Sequence, residues 1–359
     1  MQIKINSKSY NKLTLLKLLF SLHLVFFISI FSFGCSEKHI GRQWHLGDMM
    51  GNDTLWFWGI ILSATFYPLL GIYLLRYADH IWQRWVTFFL ALPLLVVPLL
   101  LPEDWPLTRG FVTIWVGGML LKLIETGWNR ITAPEMGISI PRYLIWFHIQ
   151  QDTSWPKNDT EKRENQQQGV YRLKRGFGYL VLILIMIGLA TALPISTYGI
   201  WVQSFWGMWL FCFIVSAITD FASVPWLLMG VGVTEILQTP IFARSPRDFW
   251  SRRWNLWIKK FCHRNIFKPI QAKTSPLIAV SAVFLFSAIL HEILVAYMVG
   301  HSIGYMSAFF ILQGLATMIE TRFQWPSFPR SLAVGLHTLW MSLTIPLFFF
   351  PFRELLWWL

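Results

Sequence analysis

The stretch that decides the fold is SPLIAVSAVFLFSAILHEILVAYMVG, residues 275–300, a long apolar run with one ionisable pair inside it. The run begins at Ser275-Pro276 and exceeds the roughly 20 apolar residues that a helix needs to cross a hydrocarbon core. His291 is the sixteenth residue counted from Pro276, and Glu292 follows it directly. Because ionisable groups at mid-span are costly, we expect His291 to face a cavity or to mark a functional site.

The alternative for this pair is structural: His291 hydrogen-bonds a neighbouring helix and Glu292 pairs with an arginine. A zinc protease is disfavoured, because HEILV lacks the second histidine of the HExxH motif. Among the other histidines, His337 lies in the last apolar run and is the main rival for a functional role. The remaining three are predicted to be structural or solvated: His148, His263 and His301.

Composition places the whole chain in a membrane. Of its 359 residues, 55% are hydrophobic and only 13% are charged, against about 25% charged in soluble domains. The sequence predicts an all-α polytopic protein with about eight or nine transmembrane helices. The candidate spans are 14–33, 55–75, 84–101, 107–125, 177–195, 200–220, 276–300, 303–320 and 331–352, and the Gly-rich stretch 223–237 is predicted to be re-entrant or buried in the bundle.

The charge distribution predicts the orientation. Net charge is +12, yet 17 of the 30 Lys and Arg residues lie in two segments between apolar runs, 126–176 and 238–275. This is how the positive-inside rule loads cytoplasmic loops, and it argues against nucleic acid as the partner. With both loops in the cytosol, the two spans between them return the chain to the same side. Within the first loop, the polar, mixed-charge segment 151–169 is predicted to be mobile.

The first 48 residues allow three interpretations. Lysines precede an apolar run that ends near Cys35, so residues 1–48 are a first transmembrane segment or a signal-like sequence. Alternatively, Met49 or Met50 is the true start. In each case residues 49–359 form a single transmembrane domain. The three cysteines (Cys35, Cys212 and Cys262) show no metal-ligand spacing, so neither a disulfide framework nor a metal site is expected.

The basic stretch SPRDFWSRRWNLWIKKFCHR, residues 245–264, is predicted to be one amphipathic helix. Ser245 suits an N-cap, Pro246 the first helical position, and Asp248 the third position of a capping box. At 100° per residue one sector is aromatic and apolar, the opposite side is basic, and Asn255 lies at the boundary. The apolar sector holds Trp250, Trp254, Trp257, Ile258 and Phe261.

Two functions suit such a helix, and they are compatible. It can lie at the membrane interface, with aromatic side chains at the acyl boundary and basic ones towards anionic headgroups. Its basic face can also bind a phosphorylated donor such as coenzyme A, because arginines bind phosphates in a bidentate manner and acyl-CoA is found in the cytosol.

Together these stretches resemble a known family. RDFWSRRWN (247–255), FKP (267–269) and FLFSAILHE (284–292) resemble the membrane-bound O-acyltransferase superfamily. In particular they resemble its wax synthase-like branch, whose motif reads roughly S-x-x-D-F-W-x-R-R-W-(N/H). The specific likeness covers about residues 245–300, and the chain before 240 carries little recognisable motif. The resemblance implies a multi-helix bundle with a central tunnel, in which acyl-CoA enters from the cytosol as co-substrate and no further cofactor is required.

The resemblance also assigns residues. His291 matches the family's catalytic histidine and Asn255 its second signature polar residue. Motif positions without individually assigned chemistry are Arg247, Asp248, Trp250, Arg252, Arg253 and Trp254. With Lys259, the arginines and tryptophans of this group are the candidates for binding acyl-CoA on the basic helix. Asp248 and Glu292 are candidates for support.

The chemistry suits these residue types. A neutral imidazole can take the proton of a hydroxyl that attacks a thioester, and an amide can stabilise the oxyanion or orient the substrate. The sequence therefore predicts an acyl-CoA-dependent O-acyltransferase acting on a lipid-like acceptor, with a long-chain alcohol first. Alternatives are an acetyltransferase acting on a terpenoid, sterol or glycan, a transporter with an intramembrane histidine, and a lipid-binding scaffold.

Overall fold

The computed structural model describes residues 85, 89, 91–103, 105–127, 151–193, 195–323 and 328–356. The predicted spans 14–33 and 55–75, the N-terminal segment 1–48, Cys35 and His148 lie outside these residues. Of the predicted span 84–101, the structure describes a short apolar helix, Ala91–Leu100.

Helices make up nearly all of the described chain. They are α1 (Pro106–Gly127), α2 (Asp159–Ala192), α3 (Ile200–Leu228), α4 (Pro246–Asp248), α5 (Leu256–Cys262), α6 (Lys268–Gln271), α7 (Pro276–Met298), α8 (Tyr305–Phe323), α9 (Arg330–Phe349) and α10 (Arg353–Leu356). Two π-helical turns, Phe249–Arg253 and His263–Phe267, join the short helices, and 3₁₀ turns lie at Val97–Leu100, Ile195–Thr197, Pro240–Phe242 and Phe350–Phe352. The two short strands are β1 (Thr153–Ser154) and β2 (Gly232–Val233).

Five of these helices are long and apolar enough to cross a membrane: α1, α2, α3, α7 and α9. They correspond to the predicted spans 107–125, 177–195, 200–220, 276–300 and 331–352. The predicted span 303–320 is a helix, α8, but within the described residues it is not among these five. Its apolar run is interrupted by Gln313 and Glu320. The chain is therefore an integral, multi-pass membrane protein.

Helix α2 corrects the prediction for the loop 126–176. The helix has 34 residues and begins at Asp159, where the Asn158 side chain accepts a hydrogen bond from the Glu161 N–H. The polar segment 151–169, predicted to be mobile, is thus helical over most of its length. Its charge pattern was misleading, because a polar first turn with acidic residues is also what a capped helix start requires.

Helix α3 corrects the prediction for 223–237. It runs without a break from Ile200 to Leu228, and includes Pro225. The remainder of that stretch, 229–237, is non-helical and largely buried, in agreement with the alternative that it is buried in the bundle. Gly230 begins it with φ +86°, a left-handed conformation that suits glycine at a helix end.

The β1–β2 pair confirms that both basic segments lie on one side of the bundle. Thr153, before α2, pairs antiparallel with Val233, after α3. Close by, Lys260 Nζ of α5 lies 3.1 Å from Asp152 Oδ2. The long helices α2 and α3 pack against each other and return the chain to where it began, as the sequence predicts.

The predicted single helix 245–264 is wrong. The segment is α4, a π-turn, a break at Trp254 and Asn255, and then α5 followed by a second π-turn. Its apolar side chains therefore do not form one face towards lipid. Trp250 and Trp254 pack on the cluster formed by α7, α8 and α9, whereas Trp257 is buried in a second cluster with α1.

The cluster that surrounds the site joins four helices. It contains mainly aromatic side chains, in agreement with the rigid apolar lining expected for this protein, and its buried members come from the π-turn and from α7, α8 and α9: Phe249, Phe284, Ala288, Phe309, Phe310, Met341, Ile345 and Phe349.

Candidate active site

His291 lies on the inner face of α7. It follows buried Phe284 by seven residues and precedes buried Val295 by four, and these spacings share one side of a helix. The exposed side chains of α7, Leu285 and Ile289, lie on the opposite side. The imidazole is nevertheless only partly buried. Because its neighbours on the same face are buried, its exposed part faces the interior of the bundle.

A backbone hydrogen bond fixes the tautomer of His291. Its Nδ1 lies 2.7 Å from the carbonyl oxygen of Ser287, one turn earlier in the helix. A carbonyl only accepts, so Nδ1 carries the hydrogen and Nε2 of the neutral ring keeps its lone pair. The ring packs against Phe310 with centroids 4.3 Å apart and against Phe348 at 6.3 Å. The resulting base has a defined orientation between aromatic walls.

Glu292 points away from this base and binds the start of α8. Its Oε1 accepts hydrogen bonds from the Gly304 N–H at 3.0 Å and from the Ser307 N–H at 2.7 Å. The carboxylate thereby satisfies two of the donors that a helix N-terminus leaves free. Glu292 fixes α7 relative to α8, and so the support expected of it takes the form of a helix cap.

Asn255 occupies the break between the π-turn and α5. Its φ of +42° is left-handed, a conformation that asparagine adopts more readily than most residues, and its Oδ1 accepts a hydrogen bond from the Ile258 N–H at 3.3 Å. Backbone bonds on either side hold the break in place, from Gln238 N–H to the Arg253 carbonyl and from Leu256 N–H to the Ile236 carbonyl, each 2.9 Å.

The structure does not bond His291 to Asn255. Trp254, next to Asn255, lies 6.0 Å from Phe211, and Phe211 lies 5.8 Å from Phe348, which contacts His291. Two aromatic side chains thus connect the two signature positions. Each polar group has its own backbone partner, and the amide N–H of Asn255 points to a separate chemical role from its oxygen.

A polar cavity of about 620 Å³ lies on the side of the bundle that carries the basic segment. Four arginines and two acidic residues line it, with neutral side chains between them. The lining residues are Gln238, Thr239, Arg244, Ser245, Arg247, Asp248, Ser251, Arg252, Arg253 and Glu320. The excess of positive charge makes it suitable for an anion.

The cavity arginines divide into one that is bound and three that are exposed. Arg253 donates to Asp248 at 2.8 Å and to the Thr239 carbonyl at 3.2 Å, and so it holds the π-turn closed. The side chains of Arg244, Arg247 and Arg252 are exposed. The structure places two of the three predicted acyl-CoA arginines, 247 and 252, among these exposed ones.

The acidic groups of the cavity are occupied by protein partners. Partial burial raises the pKa of Asp248, but the hydrogen bonds from the Arg253 side chain and the Arg244 N–H lower it more, so its pKa lies below the usual value. Glu320 accepts from Ser245 Oγ at 2.7 Å and from the Arg247 N–H at 2.8 Å. Both carboxylates therefore support the rim, and the exposed guanidinium groups are left to face the cavity.

The other predicted donor-binding residues lie elsewhere. Trp250 and Trp254 pack inside the aromatic cluster, where Trp254 stacks on Phe249 with centroids 5.4 Å apart and an interplanar angle of 13°. Lys259 is exposed on α5 and is not a lining residue of the cavity.

Sequence analysis missed Gln313. This residue of α8 is completely buried, and its Oε1 accepts from the indole N–H of Trp250 at 3.3 Å and of Trp340 at 3.2 Å. Its Nε2 donates to Thr344 at 2.8 Å. It holds Trp250 against Phe310, at a centroid distance of 5.6 Å, and thus fixes the wall beside the histidine. The signal was a lone amide within the apolar run of α8.

The comparisons with known proteins agree with this arrangement. The profile of MBOAT, the membrane-bound O-acyltransferase family, matches residues 138–350. This range includes α2 to α9, the basic segment and the candidate histidine.

Relatives with assigned names are distant. A probable long-chain-alcohol O-fatty-acyltransferase 2 from Arabidopsis thaliana is 29% identical over 138 residues, which are 35% of this chain and 40% of that protein. The acyl-CoA–sterol O-acyltransferase 1 of the same plant is 22% identical over 277 residues, 73% of this chain and 78% of the relative. A long-chain-alcohol O-fatty-acyltransferase from Simmondsia chinensis is 22% identical over 223 residues, 58% and 61% of the two chains. The chain thus spans about two fifths of the length of the first relative.

Proposed function

The chain belongs to the membrane-bound O-acyltransferase family, and on that premise we propose that it transfers an acyl group from acyl-CoA to the hydroxyl of a lipid-like alcohol. The observation that carries the proposal is the oriented imidazole of His291. Its Nδ1 is committed to the Ser287 carbonyl, and its Nε2 remains a base on the inner face of a transmembrane helix.

In the proposed reaction, Nε2 of His291 accepts the proton of the alcohol as the alcohol oxygen attacks the thioester carbonyl. The tetrahedral intermediate then collapses, the C–S bond breaks, and the imidazolium returns its proton to the departing thiolate. No side-chain nucleophile is consumed. A positioned base of this kind contributes about 10²–10⁴-fold to the rate. The aromatic walls formed by Phe310 and Phe348 exclude water, which would otherwise compete with the alcohol for the thioester.

Asn255 enters the proposal through its amide N–H. Because its oxygen caps α5, only the nitrogen is left to donate a hydrogen bond, and a donor is what a developing oxyanion or the substrate carbonyl requires. The acyl-CoA must then lie between the histidine and the break in the basic segment.

The arginine-lined cavity is the proposed site for the phosphates of the donor. Arg244, Arg247 and Arg252 are exposed there, and guanidinium groups bind phosphate oxygens in a bidentate manner. Acyl-CoA is a cytosolic metabolite, so the proposal also places this side of the bundle in the cytosol, as the excess of Lys and Arg in its two basic segments favours.

A second acceptor class has its own support. The sterol acyltransferase relative matches over 73% of this chain, whereas the first alcohol acyltransferase matches over 35%. The named relatives therefore favour a long-chain alcohol by identity and a sterol by coverage.

Membranes containing the protein, supplied with labelled acyl-CoA and either a long-chain alcohol or a sterol, test the proposal. We expect labelled ester with the alcohol. Ester with the sterol alone would change the acceptor and keep the reaction. A failure of both acceptors, with a protein shown to be folded, would contradict the proposed function.

A further inference from the structure

His337 is a buried histidine that the proposed reaction does not use. It is the eighth residue of α9, its exposure is 5%, and neither ring nitrogen has a hydrogen-bond partner within the described part of the chain. Buried polar side-chain atoms nearly always have partners in folded proteins, so an imidazole with two free nitrogens needs an explanation.

Its position connects it with the arginine-lined cavity. The ring of His337 lies 5.5 Å from that of Phe249, the residue directly after Asp248. Asp248 and Arg253, which both line the cavity, are the charged groups that act on His337 electrostatically. His337 therefore lies just behind the inner wall of the cavity.

The helix itself gives the distance from there to the proposed base. Phe348, eleven residues further along α9, packs against His291 with centroids 6.3 Å apart. At 1.5 Å of rise per residue, eleven residues correspond to about 16 Å. His337 and the cavity are thus at one end of the route to His291, and Phe348 is at the other.

A molecule of coenzyme A has matching dimensions. Between its phosphate ester and its sulfur, the pantetheine arm has as many bonds as about four residues of extended chain, roughly 14 Å. With the thioester at His291, the phosphate end of the arm reaches the level of His337. The unit found there is the pantoate, with one hydroxyl and one amide carbonyl.

We propose that His337 binds the pantoate unit of the acyl-CoA donor through both ring nitrogens. A neutral imidazole has one donor and one acceptor, and the pantoate offers one acceptor and one donor in return. The inference rests on the proposed function, because it needs acyl-CoA as the donor. It adds a specific polar contact between the phosphate site and the reacting thioester.

The test is the kinetics of His337→Ala and His337→Gln in membranes, with two donors. One is acyl-CoA, and the other is the matching acyl-N-acetylcysteamine thioester, which lacks the pantoate and the phosphates. For His337→Ala we expect the KM for acyl-CoA to rise about tenfold, the effect of losing ordinary hydrogen bonds, while kcat stays near that of the wild type. His337→Gln keeps one donor and one acceptor and should recover part of the loss.

The short donor separates binding from structure. It has no group for His337 to bind, so wild type and His337→Ala should use it equally. Equal losses with both donors, or a fall in kcat for acyl-CoA with unchanged KM, would overturn the inference. If the wild type does not turn over the short donor, the KM and kcat for acyl-CoA decide alone.

His263→Ala is the matched control. His263 is exposed on the same side of the bundle, where it stacks on Phe267, and its removal should leave both constants unchanged. A wild type that forms no ester from acyl-CoA contradicts the proposed function. Normal kinetics of His337→Ala in an active protein contradict only the present inference.

Discussion

Asn255 combines a left-handed backbone with a side chain whose oxygen is already bound to the Ile258 N–H. Replacing it with Asp keeps the cap and tolerates the left-handed conformation, but removes the amide donor. Replacing it with Gly keeps the backbone and removes the entire side chain. The two variants therefore separate the structural role of this residue from the proposed chemical one.

For Asn255→Asp we expect a thermal midpoint near that of the wild type and a fall in kcat of about 10²-fold, the effect of losing one oxyanion donor. Asn255→Gly should lose the same activity and also a few tenths of a kcal/mol of stability. Ester formation and thermal unfolding in detergent measure the two effects. Normal turnover by Asn255→Asp would remove the proposed donor role.

Arg252 tests the phosphate site at the same scale. Its guanidinium is exposed in the cavity, and a charge-assisted hydrogen bond to phosphate contributes about 1.5–3 kcal/mol. Because solvent screens an exposed group, we expect Arg252→Ala to raise the KM for acyl-CoA by about tenfold without a change in kcat. Lys273→Ala, an exposed basic residue outside the cavity lining, is the control. Equal effects of the two variants would indicate general charge attraction.

At the scale of elements, the basic segment shows where pattern-based prediction fails. Ser245 caps the helix start as its sequence predicts, with its Oγ 3.1 Å from the Asp248 N–H. The helical wheel drawn from there is wrong after Arg253, because the chain leaves the helix at Trp254. Only the contacts of Gln238 and Ile236 with the segment, which are distant in sequence, stabilise that break. A local pattern carries no information on such contacts.

The Asp248–Arg253 pair closes the π-turn and has a predictable pH dependence. The pKa of Asp248 in the folded protein lies below its usual value of 3.8. Its carboxylate therefore stabilises the fold fully above that value, and the contribution is lost as the pH falls through the folded pKa.

Near neutral pH we expect Asp248→Asn to lower the unfolding free energy by about 1–2 kcal/mol, because a charge-assisted hydrogen bond is lost. The difference from the wild type should shrink as the pH falls below 3.8. Unfolding in detergent across this range measures it. Asp152→Asn, which removes a more exposed pair with Lys260, should have a smaller effect. A difference that is independent of pH would contradict the assignment.

At the scale of the molecule, the membrane class and five of the spans followed from hydropathy alone, because lipid requires long apolar helices. The identity of His291 followed from the cost of an ionisable group at mid-span. What the sequence did not reveal is the company of that residue. Gln313, which holds Trp250 in place, and His337, with its free nitrogens, acquire meaning only through packing between helices.

The arrangement of the bundle gives the account its physical order. Charged groups lie at one end, in the arginine-lined cavity, and the base lies deeper, between Phe310 and Phe348. A donor with phosphates at one end and a thioester at the other fits this gradient of polarity. The central claim is that the proton of the acceptor hydroxyl passes to the imidazole at the deep end.

The rate of ester formation by purified His291→Ala, from labelled acyl-CoA and a long-chain alcohol, tests that claim most directly. We expect a fall of about 10²–10⁴-fold in kcat with an unchanged thermal midpoint. His301→Ala, a change at an exposed histidine beyond the end of α7, should retain full activity. Ester formation by His291→Ala at the wild-type rate would contradict the account.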